Sequence, residues 1–206
     1  MMLNRHVRDT TLSLVLGCLA LACSSTQTKL EMLSPSAVVL DLPLVEQDEL
    51  YECGLAAITA ECQYYGLELS AEQRRELVQT AADRKGLSGA ELRSALEQVG
   101  LDVFIFAGAR DHSVTGLYTQ VDKQRPPLVL LAPEPESHHY CLFLGYDEPR
   151  GNVVLLDPRR GKILMDHTTF DRAWAAAEQF TLLAVPRDSS IRATPDTSKS
   201  SNGAKP

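Results

Sequence analysis

The chain has no excess of positive charge: 20 lysines and arginines stand against 27 acids, a formal charge of −7 over 206 residues. A chain of that balance has no electrostatic claim on nucleic acid or on an anionic membrane surface. It has no apolar run of comfortable membrane-spanning length; "TLSLVLGCLALAC", residues 11–23, matches the h-region of a signal segment instead. No internal repeat is visible, which sets aside solenoids and arrays. Nor do these residues hold a GxxxxGK[ST] loop, so they encode no P-loop ATPase. What is present is ordinary for a globular protein, with 44% hydrophobic and 23% charged residues. The length suffices for one domain with a real core and short extensions.

Arg5 and Arg8 precede the apolar run, which ends in Leu19-Ala20-Leu21-Ala22-Cys23. Small residues before a cysteine at that place resemble the lipobox of bacterial lipoproteins, in a permissive form with Ala20 where leucine is usual. The resemblance implies a signal peptide over residues 1–22 and lipidation of Cys23. With Ser24 rather than aspartate next, it also implies a lipid-anchored protein of the cell envelope, on the outer membrane facing the periplasm. Residues 23–37 then read as a linker, 38–186 as the folded domain, and the polar 187–206 as a disordered tail.

Within the domain the first half is helical. "AVVLDLPLV" is a short extended segment, and residues 51–65 place Leu55, Ala56, Ile58, Thr59 and later Tyr64 and Tyr65 at helical spacing, with Gly66 as the stop. Ser70 with Gln73 forms a capping box for a second helix to about Ala82. Ser88 with Glu91 repeats the device for a helix that stops at Gly100. Then the period changes. "LDVFIFA", "PPLVLLA", "HHYCLFLGY", "NVVLLDP" and "FTLLAV" read as strands, with turns at "DEPRGN" and "DPRRGK" and short helices at "TGLYTQVDK" and "TTFDRAWAAA". Helices followed by a mainly antiparallel sheet predict an α+β domain.

Cys53 falls at the start of the first helix, where unsatisfied N–H groups and the dipole stabilise a thiolate. Gly54 beside it suggests room for a substrate to approach. Cys62, deep in the same helix, has neither advantage and reads as a small buried hydrophobe. A thiol nucleophile needs a base and a group to orient that base. His112 and His167 lie in polar, loop-like surroundings. His138 and His139 stand at the entry of a strand, where alternation sends them to opposite faces, so one of them can meet Cys53. Asp157 closes an apolar strand and needs a partner there; it serves an imidazole or caps the "DPRRG" turn. Gln47, six residues before Cys53, carries an amide that can donate to an oxyanion.

"Q-DELYE-CGLAAITAECQYYG", "HYCLFLGYD", "VVLLDPRRGK" and "FDRAW" together resemble the papain-like C39 peptidases and C39-like domains, over roughly residues 44–185. Among these are the domains that cut leader peptides after a double glycine in bacteriocin exporters. The resemblance implies a papain-like cysteine peptidase fold and a peptide or protein substrate cut after small residues, with no cofactor. By position it implies Cys53 as nucleophile, His139 as general base, Asp157 as its orienter and Gln47 as oxyanion donor. His139 is preferred because the family histidine directly precedes the aromatic and the apolar strand. Two departures stand beside it: "ECG" replaces the "DCG" of many members, and no exporter parts accompany the motifs. The alternatives are a cell-wall peptide hydrolase or amidase, and a non-catalytic peptide-binding lipoprotein of the same fold. A metal centre on His138, His139 and Cys141 is not expected: His139 and Cys141 share a strand face, but no fourth ligand sits at zinc spacing.

Overall fold

The computed structural model describes residues 32–134 and 137–188. The expected signal peptide, the Cys23 anchor and all but the first two residues of the tail lie outside them. Among the described residues, no helix is long and apolar enough to cross a membrane.

The helices come first, and their ends are set by local hydrogen bonds. Helix α1 (Cys53–Tyr64) terminates where Gly66 takes a φ of +69°. The Leu67 N–H then reaches Cys62 O and the Gly66 N–H reaches Gln63 O, a Schellman closure. Helix α2 (Ala71–Arg84) starts at a reciprocal Ser70–Gln73 box, and α3 (Gly89–Gln98) at a Ser88–Glu91 box. Both boxes stand where the sequence predicts them.

The strands form one antiparallel sheet. A two-residue strand β1 (Val38–Val39) pairs with β4, off the main order β2-β7-β3-β4-β5-β6. The members are β2 (Leu101–Ala107), β3 (Leu128–Glu134), β4 (Ser137–Asp147), β5 (Asn152–Asp157), β6 (Gly161–Asp166) and β7 (Phe180–Pro186). Two short helices complete the domain, α4 (Leu117–Asp122) and α5 (His167–Ala175). Strand β6 is absent from the sequence reading, which saw only the turn before it. Its residues Gly161–Met165 are all half-buried, so the edge strand has no alternation to announce it.

The core is continuous from α1 through the sheet to α5. Ile58, Leu92, Leu128, Phe143 and Phe170 have no exposed surface, and Trp174 is nearly as deep. Gly145 allows β1 to cross β4, because a Cβ there would lie 2.0 Å from Val38 O. The end of the expected linker is held to the domain: Ser34 gives its N–H and hydroxyl to the buried Asp147 carboxylate at 2.7 and 2.6 Å. At the other end Arg187 gives its N–H to Gly100 O and its guanidinium to Asp102.

Candidate active site

Cys53 is the first residue of α1, and Glu52 precedes it as N-cap without a side-chain cap bond. Its N–H is thus one of the orphan donors of a helix start, and the helix dipole is positive there. The thiol hydrogen-bonds to His139, and the backbone N–H groups of Tyr140 and Gly54 also point at the sulfur. Burial alone would raise the Cys53 pKa; the bond to His139 and the Tyr140 N–H reverse that and leave it below the ordinary thiol range.

His139 enters from the start of β4, and Asp157 is the last residue of β5, the neighbouring strand. His139 Nε2 and Asp157 Oδ1 are 2.9 Å apart. Asp157 is almost completely buried, and the turn that follows it supplies two more donors. The Arg159 N–H bonds Oδ1 at 2.8 Å and Arg160 Nε bonds Oδ2 at 2.7 Å. Burial opposes the Asp157 charge, but His139, the Arg159 N–H and Arg160 together hold it well below the usual carboxylate range. Burial likewise opposes a proton on His139; the bonds to Asp157, Cys141 and Cys53 outweigh it and raise the imidazole pKa. A lowered thiol beside a raised imidazole favours the proton on the ring over the proton on sulfur.

Asp157 makes contacts of both expected kinds: it bonds the His139 ring at 2.9 Å and accepts the Arg159 N–H of the "DPRRG" turn at 2.8 Å. Arg159 and Arg160 belong to the site through that turn, although charges in a turn read as a solvated loop. Cys141 is the other unforeseen member, fully buried and hydrogen-bonded to His139. Cys62 is a buried thiol whose pKa burial and the adjacent Glu61 raise to about 12, as its place in the helix predicts. His112 is half exposed and lies 3.3 Å from Asp122; His167 meets Tyr118 Oη at 3.4 Å.

Gly54 does not open a path to the sulfur. It is buried, and a Cβ there would meet Tyr140 Cδ2 at 3.1 Å and Leu92 Cδ2 at 3.2 Å. Its missing side chain lets α1 approach β4 and α3 closely, which is a packing requirement. Access comes from a groove of about 410 Å³ lined by Leu50, Tyr51, Cys53, Leu87, His138 and Tyr140. His138 therefore stands in the groove wall, while His139 makes the bond to the thiol.

Gln47 sits in the loop before α1. Its backbone N–H bonds Pro158 O at 3.1 Å, which ties the loop to the Asp157 turn. Its Nε2 donates to Glu49 O at 2.6 Å and Leu50 O at 3.1 Å, and Oε1 is buried without a partner among the described residues. Both amide protons are thus directed into the loop itself.

The sequence model of the peptidase C39 family matches residues 41–189. The chain belongs to that family. A curated relative is the lactococcin-G-processing and transport ATP-binding protein LagD of Lactococcus lactis subsp. lactis, 26% identical over 137 residues. That match takes in 66% of this chain and 18% of LagD, so the C39 domain spans less than a fifth of its relative. The peptidase domain of Streptococcus ComA, a bifunctional ABC transporter of a quorum-sensing pathway, superposes with a TM-score of 0.57 at 18% identity. It covers 70% of this chain and 98% of that domain. A double glycine motif protease from an AMS/PCAT transporter, solved with its leader peptide, gives 0.54 at 19% identity over 75% of this chain and 96% of the other. At these identities the superpositions establish the fold: the α+β arrangement is that of the papain-like C39 peptidase domains.

Proposed function

We propose that this C39 domain hydrolyses peptide bonds with Cys53 as nucleophile, His139 as acid–base and Asp157 as the group that orients His139. The observation that carries the reading is the chain of contacts at the start of α1. The Cys53 thiol bonds to His139, His139 bonds to Asp157 at 2.9 Å, and Cys53 lines an open groove.

The Cys53 thiolate attacks the carbonyl carbon, and the electron pair moves to oxygen. The Cys53 N–H receives the oxyanion at the positive end of α1. Gln47 Nε2 is the second donor, and for this it releases one of the two loop carbonyls it now holds. His139 passes its proton to the leaving amine as the C–N bond breaks. It then takes a proton from water, which attacks the thioester, frees the acid and returns the thiolate. Each oxyanion donor is worth ~3 kcal/mol of barrier. The double glycine protease neighbour, solved with a leader peptide, suggests small residues before the cut. The apolar run ending at Cys23 supports a lipid-anchored enzyme acting in the cell envelope, where cell-wall peptides are also within reach.

A second reading has one observation in its favour. With both Gln47 amide protons occupied, the fold also suits a non-catalytic peptide-binding module. Two measurements separate the readings: a thiol-directed label on folded protein, and a comparison of peptide termini generated by wild type and Cys53→Ala. Selective labelling of Cys53 with new termini in the wild type alone is the enzyme's signature. An unreactive Cys53 at neutral pH and identical termini leave only the binding module.

A further inference from the structure

The mechanism above makes no use of Cys141. Its side chain lies in an apolar strand, fully buried, beside the His139–Asp157 pair. Its sulfur, a ring nitrogen of His139 and a carboxylate oxygen of Asp157 all lie within 4.8 Å of one another. We propose that His139, Cys141 and Asp157 form a binding site for a thiophilic divalent cation, zinc by its donor set, and that filling it switches off the Cys53–His139 pair.

The donor chemistry is imidazole, thiolate and carboxylate, each a normal zinc ligand, and three protein donors leave one position for water. Bonds of 2.0–2.3 Å place tetrahedral donors about 3.3–3.8 Å apart. His139 Nε2 and Asp157 Oδ1, now 2.9 Å apart, therefore open by a few tenths of an ångström while the sulfur, within 4.8 Å of the other two ligand atoms, closes on them, both by side-chain rotation. Their supports are rigid. His139 and Cys141 are two apart on β4, and Asp157 is fixed at the end of the adjoining β5. Asp157 already has outer contacts that orient a ligating carboxylate, the Arg159 N–H on Oδ1 and Arg160 on Oδ2. The cation enters past His139, whose side chain keeps 19% of its exposure while Asp157 keeps 1%.

Charge and protons balance simply. Cys141 exchanges S–H for S–Zn and gives its proton to solvent, the protonated His139 gives up the proton on its ligating nitrogen to solvent and binds as neutral imidazole, and thiolate plus carboxylate offset the two positive charges. Coordination takes the Asp157 oxygen and the imidazole away from their present hydrogen bond, so His139 can neither hold nor return the proton that turnover requires. The sequence offers two of these ligands at adjacent register; the third arrives across the β4–β5 pairing, which spacing does not reveal.

Zinc titration by calorimetry and cobalt absorption spectra test the site on chelator-treated full chain, as wild type, Cys53→Ala, Cys141→Val and Cys141→Ala. Wild type and Cys53→Ala should each take one ion, with a thiolate-to-cobalt band in the near ultraviolet. Both Cys141 variants should lose the band and at least tenfold in zinc affinity, while circular dichroism reports their folding. Unchanged binding by either folded Cys141 variant overturns the proposal, as does loss of binding in Cys53→Ala, which places the ion on the nucleophile instead. The blocking half rests on the peptidase reading and is judged separately, by wild-type turnover that should fall at the zinc concentration filling the site in Cys53→Ala and return on adding chelator; turnover unchanged with the site filled overturns it. A metal-free wild type that binds zinc and cuts nothing refutes the peptidase and leaves the site standing.

Discussion

Glu61 sets up a conflict that can be measured. It lies on α1 with no exposed surface, and neither carboxylate oxygen has a hydrogen-bond partner among the described residues. Burial raises its pKa well above the ordinary range. The titratable groups that feel its charge are Cys62 on the same helix and Tyr65 at the C-cap of that helix; Arg125, after α4, acts on Tyr65. A leucine has nearly the volume of a glutamate and needs no partner, so Glu61→Leu should stabilise the domain. Two costs disappear. An unsatisfied buried polar group costs about 1–3 kcal/mol at any pH. Holding the acid neutral costs a further ~1.4 kcal/mol for each pH unit above its unfolded pKa of about 4.3, until the raised folded pKa is reached. The sign follows directly. The folded pKa is raised, so Glu61 weakens folding least below the unfolded value and progressively more as pH rises towards the folded one. Glu61→Gln removes the second cost and keeps the first. Urea unfolding at pH 5, 6, 7 and 8 should therefore show a wild-type free energy that falls with pH relative to both variants. Glu61→Leu should stand above Glu61→Gln throughout. Parallel curves for wild type and Glu61→Leu would refute the reasoning, because a carboxyl that keeps its charge must have a partner in the fold.

Cys53→Ala should abolish turnover while the melting temperature stays within a few degrees of wild type, as read by peptide cleavage and calorimetry. Gly54→Ala should cost about 1–3 kcal/mol in urea unfolding, since its Cβ would press on Tyr140 and Leu92 at 3.1 and 3.2 Å. A neutral result would mean that α1 can retreat from β4. The profile of kcat/KM should rise with pH through the lowered Cys53 pKa and fall through the raised His139 pKa. Asp157→Asn removes a main support of the His139 charge, so the alkaline limb should move to lower pH; an unmoved limb would deny Asp157 its orienting role. Asp157 also stabilises the fold above the unfolded aspartate pKa of about 3.9, and that stabilisation should be lost as pH falls towards its depressed folded value. Acid titration of wild type against Asp157→Asn reads this directly.

The parts of the protein written in short-range chemistry were legible in the chain. Ser70 with Gln73, Ser88 with Glu91 and the Gly66 stop each act over three to five residues, so the helix ends follow from the sequence. Apolar runs bounded by turn residues marked every long strand but the evenly half-buried β6. The start of α1 put Cys53 at a helix dipole, and motif resemblance pointed to the partners it meets. Folding decided the rest. Whether His139 or His138 meets the sulfur depends on how β4 presents its edge to α1. Gly54 reads as an open approach until Tyr140 and Leu92 close on it. Gln47 reads as a free donor until its own loop takes both amide protons. Glu61 is an ordinary helical acid in the sequence and a buried, unpaired one in the fold. Asp157 meets His139 and Cys141 only through the pairing of β4 with β5. The division has one physical cause: caps and turns are settled by neighbours in the chain, whereas burial and convergence are settled by which surfaces the register of the sheet brings together.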